Sequence, residues 1–416
     1  MAKMIIVAAL SLTTVFGQAP SDLERRVAEL EEKLRQIDPA FGKDATAQKP
    51  PQQALVPVST SGDTQASPSG ETRLPVAGYM EFHVNKDSGD PFRPDFHRFV
   101  LLFGHSFSDR IKFWSELEVE RAFVEGGTDS GEVALEQAYL DFLIKPYFNV
   151  RAGMMLTPIG IVNERHEPPS FNGVERPFVE TFIIPTTWRE LGFGFTGDLG
   201  RGFRYRAYLT SSLDASRFDT ESGIAEGRTQ GLEASLRNPA KVGRLEYAGL
   251  RRLTLGTSFY SGHSGFNVPG INPRVSIFEF DGRYSFHRVD FRGLFAHTWV
   301  SKTAELNRSL QFDFGVNPNI ASQMRGYYFE PAVHVLPRRS AFDATLFARY
   351  EKYNTQHRMA TGFIPLPQFD RSSWVTGVTF KPHADVALKF DYVFNRNASQ
   401  VVPAVNGINL GIGWWF

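Results

Sequence analysis

The chain has 416 residues, no cysteine and a formal net charge of zero, because 45 Lys and Arg residues balance 45 Asp and Glu residues. The lack of thiols excludes disulfide bonds, thiolate metal sites and cysteine nucleophiles. The charge balance argues against a nucleic-acid partner, because proteins that bind nucleic acids carry a basic footprint. Aromatic residues are abundant, with 37 Phe and 13 Tyr, as a transmembrane β-barrel needs for its two aromatic girdles.

Residues 1–19 predict a secretory signal peptide. Lys3 precedes an apolar run over residues 4–16, and small residues follow at Gly17 and Ala19. Cleavage after Ala19 fits this pattern, and cleavage after Gly17 is an alternative. The apolar run is too short to cross a bilayer as a helix. An ordinary buried helix is the alternative to a signal peptide.

Residues 20–38 predict a short coiled-coil helix. A capping box, Ser21-Asp22-Leu23-Glu24, begins the helix. In a parallel bundle, Arg26 would face Glu31 of a neighbouring chain. The alternative is a lone amphipathic helix on the protein surface. The apolar residues of the heptad seam are Leu23, Val27, Leu30, Leu34 and Ile37.

Residues 39–72 are rich in Pro, Gln, Ser, Thr, Ala and Gly, which predicts a flexible linker. From residue 73 the chain changes to about sixteen short segments in which apolar and polar residues alternate, as in strands with lipid on one side and a wet lumen on the other. The clearest segments begin at Ile111, Phe148, Phe203, Val289, Phe342 and Val386. Weaker segments begin near Val76, Phe96, Val133, Leu191, Leu232, Leu253, Val275, Tyr327 and Trp374.

The connections and the C-terminus favour a membrane barrel over a soluble sandwich. Tight turns such as Ser108-Asp109-Arg110 contrast with long loops at 158–189, 212–228, 300–325 and 352–372. The final segment puts five apolar residues on one face and ends on an aromatic residue, Phe416. A soluble β-sandwich would show the same alternation with its faces reversed. We therefore predict an all-β fold, in which residues 73–416 form a transmembrane antiparallel β-barrel of about 16 strands.

The faces opposite the apolar ones would line an aqueous lumen. Segment 111–120 is acidic, whereas Arg151, Arg204 and Arg206 form a basic patch, so opposed charges would create a field across the pore. The alternative is that each charge is solvated and only keeps the lumen wet. On the six clearest segments the basic lumen residues are Lys112, Arg151, Arg204, Arg206, Arg292, Arg349 and Lys389. The acidic ones are Glu116, Glu118, Glu120, Asp290, Asp343, Glu351 and Asp391.

The long loop after the fifth segment carries the most distinctive sequence. Its stretches GIVNERHEPPSFNGVERP and IIPTTWRE, with LEQAYLDF at residues 135–142, resemble the phosphate-selective porin O and P family over most of residues 75–416. The resemblance implies a sixteen-stranded, trimeric barrel in the bacterial outer membrane whose third loop folds inside. It also implies a passive channel in which an arginine ladder and a lysine cluster pass phosphate or related anions. This sequence lacks a dense lysine cluster.

The predicted constriction combines this loop with the neighbouring wall. Arginine side chains suit phosphate and carboxylate geometry, so we expect part of this set to face the solute. The alternative is that Arg165 and Arg176 pair with adjacent glutamates and hold the loop shut. The predicted solute-binding residues are Arg151, Glu164, Arg165, Glu167, Glu175, Arg176, Arg204 and Arg206.

The long loop also contains residues that suggest two other kinds of chemistry. His166-Glu167 could begin a His-Glu-x-x-His zinc motif, but the fifth position is Ser170 and two prolines intervene. Ser170 with Asn163 and His166 would suit an outer-membrane lipid hydrolase. We expect no catalytic residue, no metal and no cofactor, with a lipid hydrolase or an envelope-tethering structural barrel as the alternative functions.

The expected partners follow from the predicted barrel. They are two further copies of the chain in a homotrimer, outer-membrane lipid and lipopolysaccharide, and small solutes or anions. The C-terminal Phe416 would serve as the recognition mark for the barrel-insertion machinery. No nucleic acid is expected.

Overall fold

The computed structural model describes residues 77–121, 131–231, 236, 238–314, 318–337 and 340–416. The predicted signal peptide, coiled-coil helix and linker therefore lie outside the described residues, as do residues 73–76 of the predicted barrel. Within the described ranges, no helix combines the length and apolar character needed to cross a membrane.

Sixteen antiparallel strands form one closed barrel in the described part of the chain, as the alternation predicts. Each strand pairs with its neighbours in sequence, and β1 pairs with β16. The first eight strands are β1 Ala77–Asp87, β2 Arg93–Ser106, β3 Ile111–Glu120, β4 Glu132–Lys145, β5 Phe148–Leu156, β6 Arg189–Gly200, β7 Phe203–Thr210 and β8 Ala240–Tyr247. The others are β9 Leu253–His263, β10 Arg274–Phe286, β11 Val289–Val300, β12 Gln323–His334, β13 Asp343–Arg358, β14 Asp370–His383, β15 Val386–Asn397 and β16 Gly407–Trp415.

The last residue takes part in closing the barrel. The backbone of Phe416 exchanges two hydrogen bonds with Gly78, at 2.9 and 3.0 Å. Its ring stacks on Phe99, with 5.8 Å between the ring centroids. A Cβ atom at Gly78 would lie 2.9 Å from the Phe416 ring, so the missing side chain leaves room for the terminal aromatic at the seam.

The two faces of the strands carry opposite chemistry. On β10, Phe278 and Phe280 are 44% and 49% exposed on the outer face, whereas Glu279 and Asp281 are fully buried on the inner face. A soluble sandwich would bury the aromatic face and expose the charged one. A barrel whose outer face meets lipid requires the observed arrangement. The structure therefore agrees with the predicted membrane barrel and not with the soluble sandwich.

Short turns and long loops occupy opposite ends of the barrel, as predicted. Residues 201–202 and 287–288 form turns, whereas residues 157–188 and 211–239 join β5 to β6 and β7 to β8. Helix α1, Thr303–Phe314, lies in the loop between β11 and β12.

Some predicted boundaries differ from the strands of the structure. The eighth strand begins at Ala240, and its predicted start near Leu232 lies outside the described residues. Pro239 has no N–H to donate to a central ladder, so the strand starts after it. Strand β13 continues to Arg358, so the first part of the loop predicted at 352–372 is strand. The inner residues Tyr353 and Thr355 of this part are buried.

Candidate pore constriction

Residues 157–188, which we name the constriction loop, cross the interior of the barrel. The loop leaves β5 and returns to β6, yet it bonds to strands about half of the circumference away. The amide of Val179 donates to Glu351 on β13 at 3.0 Å, and the amide of Val174 donates to Asp391 on β15 at 2.6 Å. The loop therefore narrows the lumen, as the family resemblance implies.

Polar side chains within the loop fix its fold. One carboxylate oxygen of Glu180 accepts the amides of Ile161 and Val162, both at 2.7 Å, and the other accepts the hydroxyl of Tyr328 on β12. The amide group of Asn163 bonds to backbone atoms of Thr157 and Trp188. These bonds satisfy backbone groups that water cannot reach, so the loop holds one conformation without a regular helix or strand.

An arginine-rich group lies where the loop meets the wall of β7 to β10. Arg206 pairs with Glu164 of the loop at 3.1 Å. Arg204 and Arg283 both reach Glu246, at 2.9 and 3.4 Å. These side chains keep partial contact with the lumen, because the arginine and Glu164 side chains are 13–24% exposed. We name Arg165, Arg204, Arg206 and Arg283 the arginine cluster.

Arg165 differs from the other members because its guanidinium makes no ion pair or hydrogen bond with any described residue. Burial and the neighbouring charge of Arg283 lower the pKa of Arg165 to about 10, although Glu246 and Glu164 raise it. The group therefore stays charged at neutral pH. Its positive charge has no ion-pair partner among the described residues.

Arg151 is not a member of the arginine cluster, because its guanidinium is paired with a carboxylate on the neighbouring strand. Its guanidinium makes two hydrogen bonds to Asp141, at 2.7 and 2.8 Å, and stacks over the ring of Tyr139. A bidentate pair of this kind holds both groups in one geometry. Asp141 thus balances the charge of Arg151. The basic patch predicted from the sequence did not take this pairing into account.

A second charged group lies on the other side of the loop, against β1 to β4. We name Glu81, Arg98, Glu116, Glu118, Glu136 and His166 the acidic network. Arg98 reaches Glu81 at 2.9 Å and Glu118 at 3.5 Å. No member is more than 5% exposed, so this network is sealed from the lumen.

A β-bulge on β4 gives the network one of its carboxylates. Glu116 of β3 pairs in register with Gln137, and Leu117 pairs with Leu135, so Glu136 has no partner residue. The bulge turns Glu136 and Gln137 to the same inner face. Glu136 was not among the predicted site residues, although two consecutive polar residues inside the alternating stretch LEQAYLDF were the available signal.

His166 carries the loop into this network. Its Nε2 atom lies 3.0 Å from Glu136 and 3.0 Å from the hydroxyl of Tyr79. Burial lowers the pKa of His166, but the charge of Glu136 and its hydrogen bond outweigh burial and raise the pKa to about 9. At neutral pH a protonated imidazole therefore links the loop to β4.

The remaining predicted residues of the loop contact the wall and the loop itself. Glu175 accepts one hydrogen bond from Asn85 at 2.8 Å and lies 3.1 Å from His83. Burial raises the pKa of Glu175, but the bond from His83 outweighs it and lowers the pKa to about 2. Arg176 donates to the hydroxyls of Thr186 and Thr187.

Two sequence-based alternatives do not match these contacts. Neither Arg165 nor Arg176 forms an ion pair within 4.0 Å of Glu164, Glu167 or Glu175, and the carboxylate of Glu167 has no partner among the described residues.

The hydroxyl of Ser170 donates to the carbonyls of Arg165 and Glu167. It makes no hydrogen bond to His166, so no nucleophile–base pair forms there.

Solved structures with the same architecture are outer-membrane proteins. OmpF of Salmonella typhi in complex with daunomycin has a TM-score of 0.55 and 12% identity, over 82% of this chain and 97% of that chain. An anion-selective porin from Comamonas acidovorans has a TM-score of 0.53 and 14% identity, over 82% of this chain and 98% of that chain. OmpT of Vibrio cholerae in a trimer form has a TM-score of 0.50 and 10% identity, over 82% of this chain and 98% of that chain. At these identities the likeness shows the fold, a porin-type barrel.

Comparison of sequences adds one relative. No family model matches the chain. A protein of Aquifex aeolicus (strain VF5), described as uncharacterized, is 37% identical over 331 residues, which cover 76% of this chain and 74% of that protein. Identity of this size over about three quarters of both chains indicates common descent. The chain belongs to the same protein family as this Aquifex aeolicus protein.

Proposed function

We propose that this protein is a passive outer-membrane channel that favours small anions, with phosphate and carboxylates as the solute class. The observation that carries the proposal is the arginine cluster, which lies where the constriction loop meets the barrel wall and keeps partial contact with the lumen. Fixed charges at a narrow section set the selectivity of a pore. The sign of the charge at this position therefore decides the preferred ion.

The arginine cluster carries an excess of positive charge. Its four arginines face two carboxylates, Glu164 and Glu246, which leaves a net charge of two positive units. Arg244 lies beside it with Glu279 and Asp281. Adding these three groups gives five positive and four negative charges, so an excess of one positive unit remains.

Guanidinium groups with free donors are suited to bind an anion in transit. Among the described residues, the guanidinium of Arg165 has no hydrogen-bond or ion-pair partner, and the side chains of Arg204 and Arg283 are 24% and 23% exposed. A passing phosphate or carboxylate would exchange part of its hydration shell for these donors. The bound state stays weak because the neighbouring carboxylates compete for the same arginines, and a channel requires weak binding.

The assembly and partners in this proposal follow from the fold. A homotrimer is proposed because a barrel of the same fold, OmpT of Vibrio cholerae, has been solved in a trimer form. The apolar outer face would contact lipid and lipopolysaccharide, and Phe416 would serve the insertion machinery. We propose no enzymatic activity, since the contacts of Ser170 and His166 favour none.

Charge reversal in the arginine cluster tests the function. The purified double variant Arg165→Glu/Arg204→Glu should change the reversal potential in a salt gradient across a planar bilayer towards cations. A matched control is Arg110→Glu/Arg251→Glu, which makes the same change of net charge at exposed turns and should leave the reversal potential unchanged. If the folded double variant keeps the wild-type potential, the arginine cluster does not set selectivity. If wild-type protein forms no conductance, the channel function itself is wrong.

A further inference from the structure

Four buried polar side chains meet where the constriction loop contacts β1, β3 and β4: Tyr79, Glu116, Glu136 and His166. The Nε2 atom of His166 lies 3.0 Å from Glu136 Oε2 and 3.7 Å from Glu116 Oε1. The hydroxyl of Tyr79 lies 3.0 Å from that Nε2 atom and donates to Glu116 Oε1 at 3.0 Å. One nitrogen and two carboxylate oxygens therefore surround a single point inside the protein.

The orientation of His166 directs a ring nitrogen to this point. Its Nδ1 atom lies 3.1 Å from the carbonyl oxygen of Asn163. A carbonyl only accepts, so Nδ1 carries a hydrogen and Nε2 faces the carboxylates. Asn163 is itself fixed by bonds to Thr157 and Trp188. Metal-binding histidines in proteins are oriented by the same kind of bond from the second ring nitrogen to a carbonyl.

The carboxylates are also held in place, and one oxygen has no hydrogen bond. Gln137 donates to Glu116 Oε2 at 2.7 Å. The Oε1 atom of Glu136 is fully buried without a hydrogen-bond partner among the described residues and forms an ion pair with Arg189 at 3.6 Å. The Oε2 atom of Glu136 is the oxygen that faces His166. The bulge that aims Glu136 inward also removes one pairing from the sheet.

We propose that Glu116, Glu136 and His166 bind a divalent transition-metal ion of the zinc class. The ligand atoms lie within 4.8 Å of one another. In a tetrahedral site with bonds of about 2.0–2.1 Å, ligand atoms are about 3.3 Å apart, and the nearest separations here are 3.0 and 3.7 Å. The Tyr79 hydroxyl or a water molecule would complete the coordination.

The choice of ion follows from the ligands. Magnesium and calcium require six or more oxygen ligands, whereas one imidazole with two carboxylates suits zinc, cobalt or nickel. Two carboxylates and a neutral imidazole carry two negative charges, which a divalent ion balances. The ion would displace the proton that otherwise joins Nε2 to Glu136, and it would tie the loop to β3 and β4. Glu167, the neighbour in sequence, makes no hydrogen bond or ion pair with this group in the described part of the chain.

The test is metal binding by the full chain in detergent, after removal of bound ions with a chelator. Titration with cobalt chloride should load one Co²⁺ per chain and give visible absorption bands of a low-coordinate nitrogen–oxygen site. Zinc chloride should displace the cobalt. Glu136→Gln or His166→Gln should abolish this binding, and Gln137→Leu should weaken it about 10- to 100-fold through the loss of support for Glu116.

The control variant is Glu167→Gln, which removes a neighbouring carboxylate and should bind cobalt as the wild type does. Folding of each variant is checked by the mobility of the unheated band on a gel, and Gln137→Leu decides the question if the ligand variants fail to fold. Absence of saturable binding by the wild type overturns the proposal. Equal binding by wild type and Glu136→Gln would show surface binding only. The test does not measure conductance. A negative result for metal binding therefore leaves the channel proposal unaffected.

Discussion

The acidic network and the arginine cluster lie on opposite sides of the same loop and use charge in different ways. In the acidic network, Arg98 and its partners Glu81 and Glu118 are all at most 7% exposed in their side chains. In the arginine cluster, Arg204 and Arg283 are 24% and 23% exposed. Sealed charges interact strongly with each other, whereas charges in contact with water are screened. The first group therefore holds the loop, and the second is available to a solute.

The strongest test of this difference removes one arginine from the acidic network and one from the arginine cluster. Arg98→Met would leave Glu81 and Glu118 buried without their shared partner, and we expect a loss of about 3–5 kcal/mol in the free energy of unfolding. Arg204→Met is the matched change on the open side. It should cost about 1 kcal/mol or less, because water screens the pair and Arg283 remains near Glu246. Denaturant unfolding followed by tryptophan fluorescence measures both losses, and equal losses would contradict the division into sealed and open charge.

The alternation of residues was sufficient to predict most of the barrel. Five of the six clearest segments begin at the first residue of a strand, for example β3 at Ile111 and β11 at Val289. The reason is physical, since lipid on one side and water on the other impose the same period on every strand. The prediction was wrong at residues 352–358, which were assigned to a loop but continue β13.

The constriction was predictable only in part. Glu164, Arg165, Arg204 and Arg206 were all predicted, and the structure brings them together at one wall. Their pairing was not predictable, because it depends on the path of a loop that has no regular periodicity. Glu136 was missed because its bulge breaks the period on which the strand prediction rests.

A second prediction concerns the sealed part of the wall beside the arginine cluster. Gly256 lies between Glu246 and Asp281 in the cross-strand register. A Cβ atom there would come within 2.3 Å of both Arg244 and Asp281. Gly256→Ala should therefore separate that buried pair and cost about 1–3 kcal/mol through overpacking.

Gly282→Ala is the control for this change, because its added atom would meet only the side chain of Leu255 at 3.4 Å. Its unfolding midpoint in denaturant should stay close to that of the wild type. Equal midpoints for the two variants would mean that the space over Gly256 does not position the Arg244 pair.

A third prediction tests the arginine cluster by increasing its net positive charge. Glu164→Gln removes the loop carboxylate that faces Arg206 and leaves the arginine cluster with one more uncompensated charge. A unit charge about 8 Å from an ion in water contributes about 0.5 kcal/mol. The anion-to-cation permeability ratio should therefore rise about twofold, the opposite direction to the arginine reversals. Reversal potentials in a salt gradient measure the ratio, and a fall would mean that Glu164 does not act through the cluster.

The smallest expected effect concerns Glu175, which joins the loop to His83 on the sealed side but is itself 43% exposed. Its pKa is lowered to about 2 in the folded protein, below the ordinary value of about 4.3. A carboxylate with a lowered pKa stabilises the fold fully above its ordinary value, and this contribution disappears as pH falls through the folded value. Because the side chain is exposed, we expect only about 0.5 kcal/mol. The difference in unfolding midpoint between wild type and Glu175→Gln should be constant from about pH 5 to pH 6 and shrink between about pH 4.5 and pH 2. A difference that grew on acidification would mean that Glu175 is protonated in the folded protein and that another group holds this part of the loop.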